Sequence, residues 1–383
     1  MTAILLLEDG SIFRGRALGA SGVATGEVVF NTSLTGYQEI ITDPSYCGQI
    51  VTMTNPEIGN YGINREDNES RKPFLSGFVM REYSPIVSNY RSELDIDRYF
   101  QDHNIIGIER IDTRRLTKLL RIKGSLHGII SSEEQTVKKL KTMLADAPRL
   151  VGRDLVREVT CSEPYEWMPQ HDSATTLHAS ALHYTDRPIL SEQKYSVVCI
   201  DCGIKHNILR GLYNRGCRLT IVPANTPAHE ITALNPDGIF LSNGPGDPEP
   251  LQYIIETVKT LLTTGIPLFG ICLGHQMLGL ALGGRSYKLR FGHHGGNQPV
   301  MRLTTKTVEI TAQNHGFNID PESIPKELYS ATHINLNDKT LEGIACTQHN
   351  AFSVQYHPES APGPHDSRYL FDEFIRRMET RHA

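Results

Sequence analysis

Apolar and polar positions follow two different periods along the chain, and the change between them falls near the middle. Over roughly the first 150 residues the apolar runs are short and glycine breaks them. Ala3–Glu8 and Ser11–Arg16 flank Asp9-Gly10, a strong hairpin signal. Gly26–Phe30 and Ile50–Thr54 predict further strands. Two helices come next with firmer spacing. One begins at Asp112 and carries Leu116, Leu119 and Leu120 on one face; the other opens at Ser131, with Glu134 completing a capping box. Together they predict a mixed α/β unit, smaller than the C-terminal one, with no topology legible in the pattern.

Between residues 155 and 193 no period persists. Glu163-Pro164, Met168-Pro169 and Arg187-Pro188 bracket a stretch rich in His, Ser, Ala and Thr, which predicts a linker. From Tyr195 the pattern is regular. Strands are predicted at Ser196–Ile200, Leu219–Val222, Gly238–Leu241 and Ile266–Ile271. Helices are predicted at Ile204–Asn214, near Glu230, and at Leu251–Leu262 and Leu273–Leu282. Such alternation implies right-handed crossovers and a parallel sheet covered on both faces, with ligands at the carboxyl ends of its strands. After Ser286 the pattern turns β-rich, and Arg368–Met378 closes it as an amphipathic helix. The predicted division is therefore an N-terminal domain over 1–154, a linker over 155–193 and a parallel-sheet α/β domain over 194–383.

Length and composition narrow the class. The 383 residues suffice for two or three domains, and 39% hydrophobic with 21% charged residues is a soluble, globular balance. The net charge of −5 is spread without a basic run, which excludes nucleic acid and anionic membrane as natural partners. No apolar stretch approaches the roughly 20 residues that span a bilayer. The first nine residues lack the basic region of a signal peptide, and the seven cysteines are odd in number and irregularly spaced. A cytoplasmic location without a disulfide framework is expected.

Three segments carry chemistry. Gly270-Ile-Cys-Leu-Gly274 lies where an apolar strand meets a helix, a nucleophile elbow with cysteine in the serine position. Cys272 would stand at the helix N-terminus, which favours thiolate, with the Leu273 amide aimed where an oxyanion forms. Taken alone, a buried structural cysteine fits the pentapeptide as well. Ser242-Asn-Gly-Pro-Gly-Asp247 ends another strand with exposed backbone amides, or is simply a tight turn. Phe352-Ser-Val-Gln-Tyr-His-Pro-Glu359 places an imidazole and a carboxylate just past a third strand, as a nucleophile's base and its orienter require. Their joint occurrence in one sheet predicts a Cys-His-Glu hydrolase.

Gly270-Ile-Cys-Leu-Gly-His-Gln276 together with His357-Pro-Glu359 resembles the class I (triad) glutamine amidotransferases. The resemblance implies Cys272 as nucleophile, His357 as base and Glu359 as orienter. It also implies a glutamine site formed by Gly244, Gly246, Leu273 and Gln276, with Asn314, Gly316 and Phe317 from the segment Thr311-Ala-Gln-Asn-His-Gly-Phe317. The N-terminal half narrows the family. Gly26–Glu39 followed by Thr42-Asp-Pro-Ser-Tyr46 is similar to the domain specific to carbamoyl-phosphate synthase small subunits, in which Ser45 matches a glutamine-contacting position. Phe291–Asn297 and Ser360–His365 resemble the same subunit. That family implies a large-subunit partner holding ATP, Mg and bicarbonate, and carbamoyl phosphate destined for arginine or pyrimidine synthesis. No cofactor or metal is expected in this chain, and no Walker A motif is present. Other amidotransferase roles, a free γ-glutamyl hydrolase and a non-enzymatic subunit are the alternatives.

Other motifs are expected to be structural. Cys199-Ile-Asp-Cys202 has no second pair at zinc spacing, His293-His294 predict solvated loop histidines, and His275 is expected to be packed or capping rather than catalytic. Cys47, Cys161, Cys217 and Cys346 have no base motif beside them.

Overall fold

The structure, a computed structural model, describes residues 1–133, 136–169 and 192–382. In the N-terminal part the strands are β1 (Thr2–Leu7), β2 (Ile12–Gly19), β3 (Val23–Asn31), β4 (Gln49–Met53), β5 (Glu57–Ile58), β6 (Gly77–Val79), β7 (Glu82–Tyr83), β8 (Ile106–Glu109) and β9 (Leu126–Ser131). Seven of them close a barrel in the order β1-β2-β8-β6-β4-β3-β9, and β5 pairs with β7 apart from it. Closure comes from β9, which pairs antiparallel with both β1 and β3. Alternation along β1 explains the barrel's two layers: Ala3, Leu5 and Leu7 join the core with Phe13, Val28 and Ile130. Leu6 points the other way, under Leu140 and Leu144 of the helix Val137–Asp146.

The helix predicted from Asp112 spans Thr113–Lys123, with the Asp112 carboxylate accepting from the Arg115 amide. Leu116 and Leu120 are buried and Leu119 packs beside them. The second helix starts later than expected. Ser131 is the last residue of β9, paired with Ile4 and Val23, so it is not a cap. The cap is Thr136, which accepts from the Lys139 amide at 3.2 Å; Glu134 lies outside the described residues. Within the segment read as a linker, Val156–Val159 is a short helix and β10 (Tyr165–Trp167) an edge strand. Residues 170–191 lie outside the described residues.

The second sheet has ten strands. They are β10, β11 (Tyr195–Asp201), β12 (Cys217–Pro223), β13 (Gly238–Leu241), β14 (Leu268–Ile271), β15 (Arg285–Arg302), β16 (Thr307–Asp320), β17 (Tyr329–Asn335), β18 (Leu341–Cys346) and β19 (Ala351–Val354). The order is β10-β12-β11-β13-β14-β19-β18-β17-β15-β16. The centre, β12-β11-β13-β14-β19, is parallel as the alternating pattern predicts. Both its faces are covered. Val198 and Ile200 pack toward the helices Gln252–Leu262 and Leu273–Ala281, while Val197 and Cys199 pack toward His206–Tyr213 and Tyr369–His382. This is the near-continuous apolar strand of a sheet buried on two sides.

β15 joins the two halves. His294 in it accepts at its carbonyl from the Thr32 amide at 3.2 Å, and Arg290 from the Ser125 amide at 2.8 Å. Phe291 stacks on Phe30 of the barrel at 5.9 Å between ring centroids.

Candidate active site

Cys272 follows β14 directly and is the cap of the helix Leu273–Ala281, with φ 55° and ψ −104°. A non-glycine residue held there is strained, and the strain is imposed from two sides. The Cys272 amide donates to the Val354 carbonyl (2.9 Å), and the Gly274 amide to the Ser242 carbonyl (3.0 Å). A Cβ on Gly274 would run into the Leu241 carbonyl, so only glycine lets the helix start this close to β13. The Cys272 thiol is buried, 3.6 Å from the Asn314 carbonyl.

His357 lies beyond β19 and is fixed by its amide, which donates to the Ala312 carbonyl at 2.8 Å. Its Nδ1 meets Glu359 Oε1 at 2.7 Å. Nε2 has no hydrogen-bond partner among the described residues. Burial alone would lower the imidazole pKa, but the Glu359 carboxylate and the Cys272 thiol raise it to about 10. Glu359 is pushed the other way. Burial would raise its carboxyl, yet Lys205 and His357 hold it at about 2.

Lys205 is the site residue the sequence reading missed. It is buried, and its Nζ donates to Glu359 Oε1 at 2.9 Å and to the Ala361 carbonyl. Asn207 adds a donor from Nδ2 to the Glu359 carbonyl at 2.6 Å. Lys205-His206-Asn207 follows β11 at the same carboxyl edge as Ser242–Asp247 and Cys272, which was the available signal. The lysine and the histidine put two cationic donors on one carboxylate oxygen, so Glu359 is held in one orientation and stays ionised.

The barrel supplies the other wall. Ser45 Oγ accepts from Asn243 Nδ2 (3.0 Å), and Asp43 Oδ2 accepts from Asn314 Nδ2 (2.9 Å). Ser45, Gly244, Gly246, Cys272, Gln276, Asn314, Gly316 and Phe317 all line one pocket, whose space of about 350 Å³ is partly open to solvent. Leu273 is buried, with its side chain packed under the Gly244 turn. His357 instead lines an adjoining space of about 290 Å³, with Asp43, Lys205 and Pro362.

Several expectations need correction or detail. His293 and His294 are buried in β15, not solvated loop residues, because His294 packs against Tyr46 of the barrel while His293 lies among Asp338, Glu342 and Gln313. His293 bonds Asp338 at 2.8 Å and Gln313 at 3.0 Å; burial lowers its affinity for a proton, but Asp338 and Glu342 raise its pKa to about 9. His293, His315 and Glu342 bring possible ligand atoms within 4.8 Å of one another. His315 is occupied at both nitrogens, by the Phe317 carbonyl and by Gln313, each at 2.8 Å. His275 is packed, with Nδ1 2.9 Å from Ser353 Oγ. Cys199 and Cys202 are buried, and burial pushes both thiols up.

Glu69, from the barrel half, is a deep contact between the two units. It accepts at Oε2 from the Asn207 amide (3.1 Å) and at its carbonyl from the His206 amide (2.9 Å). Burial outweighs Lys205 and Arg210, raising its pKa from 4.5 to about 7. A carboxyl raised in the fold stabilises below the unfolded value and loses that contribution as pH rises through the folded one. Glu69→Gln should therefore flatten the dependence of Tm on pH between 4.5 and 7. Parallel curves for variant and wild type would contradict this.

A parallel-sheet unit with a cysteine elbow facing a His–Glu pair defines the class. Residues 198–377 match the family model for class-I glutamine amidotransferases, and residues 5–130 the carbamoyl-phosphate synthase small chain, CPSase domain. The Syntrophotalea carbinolica carbamoyl phosphate synthase small chain is 56% identical over 379 residues, covering 99% of this chain and 98% of that relative. The Yersinia pestis protein of that name is 52% identical over 383 residues (100% and 96%), and the chloroplastic Oryza sativa one 48% over 377 (98% and 82%). The chain belongs to the carbamoyl phosphate synthase small chain family.

Proposed function

We propose that this chain hydrolyses glutamine through a thioester on Cys272 and supplies the ammonia to an ATP-using carbamoyl-phosphate synthase large subunit. The observation that carries the reading is the strained Cys272 at a helix N-terminus, beside an imidazole whose far nitrogen is held by a carboxylate. The thiolate attacks the carboxamide carbon, and backbone amides near Leu273 and Gly244 receive the oxyanion. The C–N bond breaks as His357 gives its proton to the departing ammonia, leaving a γ-glutamyl thioester. Water then attacks while His357 takes its proton, the C–S bond breaks, and glutamate leaves. Glu359, tied by Lys205, orients the imidazole throughout. The space behind His357 offers the ammonia a first exit from the site.

The family name supports a large-subunit partner, and with it ATP, Mg and bicarbonate bound elsewhere than on this chain. Ammonia released without an acceptor wastes glutamine, so turnover in the isolated chain should be low. The chain should co-purify with a much larger ATP-using protein, and glutaminase turnover should rise markedly in that complex. Full activity in the isolated chain, with no such partner recovered, would favour a free hydrolase.

No helix among the described residues is long and apolar enough to cross a membrane.

A further inference from the structure

The pocket beside Cys272 has one feature that hydrolysis of an amide does not call for. Among the described residues, its only acidic lining residue is Glu27, which comes from β3 on the barrel wall, opposite the elbow. The two histidines that share the lining, His294 and His315, are both held neutral by burial. Glu27 is fixed in place. Its amide donates to the Gly48 carbonyl at 3.1 Å, and β3 is paired on both edges, with Gln49 and His127 as its register partners.

Its two carboxylate oxygens differ in how they are satisfied. Oε2 takes Lys288 Nζ at 2.7 Å, and that ammonium also lies 4.9 Å from the centre of the Phe317 ring. Among the described residues, Oε1 has only the long contact from Gln49 Nε2 at 3.4 Å. Gln49 lines the same pocket, and its own Oε1 is buried with no donor among the described residues. Two neighbouring acceptors therefore face a shortage of N–H groups, in a place where leaving an acceptor unmade is costly. An alkylammonium brings three donors and a positive charge.

We propose that Glu27, with Gln49 beside it, receives the α-ammonium of the substrate and makes the site specific for an α-amino acid amide. The assignment rests on the glutaminase reading and deepens it. Lys288 acts as a positioning residue that keeps the second oxygen occupied and the carboxylate turned to the pocket. The carboxamide end of glutamine is neutral and belongs to Cys272; the ammonium at its other end needs a counter-charge, and Glu27 is the anion that the described lining provides.

The test compares two substrates that differ only in that ammonium, L-glutamine and glutaramate, as kcat/KM for ammonia release in wild type and in Glu27→Gln. A charge-assisted hydrogen bond contributes enough for a wild-type preference of about 10–100-fold for glutamine. Glu27→Gln should raise KM for glutamine by a similar factor and leave glutaramate nearly unchanged, so that the preference collapses. Equal losses on both substrates would reduce Glu27 to a structural tie, and an intact preference would place ammonium recognition elsewhere; either overturns the proposal. Should Glu27→Gln fail to fold, Glu27→Asp keeps the charge and shortens the reach, and the preference should fall there too. A wild type that releases ammonia from neither substrate, alone or with a synthase, removes the functional reading itself.

Discussion

Cys272→Ser should abolish ammonia release from glutamine, by on the order of 10⁴-fold or more, while leaving the fold intact. The substitution replaces one atom with a smaller one in a site whose shape is set by backbone bonds to Val354 and Ser242. What it removes is the sulfur nucleophile. A hydroxyl is a far weaker nucleophile without a base matched to it. The same variant in the assembled synthase should still make carbamoyl phosphate from added ammonia, because the ATP-dependent steps are untouched. That selective rescue distinguishes an ammonia source from a scaffold. A complex that assembles well but does not respond to ammonia would mean the chain contributes more than ammonia. A glutamine-analogue alkylator should label one cysteine, and mass mapping to any but Cys272 would sink the assignment.

The second large effect is expected at the base. His357→Asn should slow thioester formation by several orders of magnitude, about 10³–10⁵-fold by analogy with other nucleophile–base pairs. Asparagine retains a polar group near Glu359 but neither gives nor takes a proton at neutral pH. Glu359→Gln should cost less, since the carboxylate orients and charges the imidazole without itself moving a proton. Single-turnover kinetics separate the two. Near-wild-type acylation in the His357 variant would move the base elsewhere; His315, the next candidate, is engaged at both nitrogens.

How much of this was legible in advance varies along the chain for physical reasons. From β11 to the helix after Cys272 every element was readable, because the strands are short, largely buried apolar runs that alternate with helices of apolar spacing. The elbow was readable too, since its glycines are demanded by a local backbone contact. Barrel closure was not. It depends on β9 meeting β1 across more than a hundred residues, and a short strand carries no mark of its partner. β10 is only three residues long, too few for a period to show. His293 and His294 looked like loop residues because their burial, by Asp338 and Glu342 for one and by Tyr46 of the barrel for the other, is a tertiary event. Lys205 escaped for a related reason: a buried lysine is recognisable only once its carboxylate is seen, and Glu359 is 154 positions away.

The placing of Ser45, Asp43 and Glu27 on the barrel has a consequence for anyone wishing to re-engineer ammonia delivery. The C-terminal sheet resembles a cartridge ready for fusion to an unrelated synthase, but excised it would keep the Cys272 elbow and lose Ser45 and Glu27 from the lining of the adjoining pocket. It would also bare Lys205 and Asn207, whose environment Glu69 completes. A transplant must therefore carry the barrel along, or rebuild the equivalents of those side chains on the recipient. Here the unit of inheritance for the activity is the whole chain.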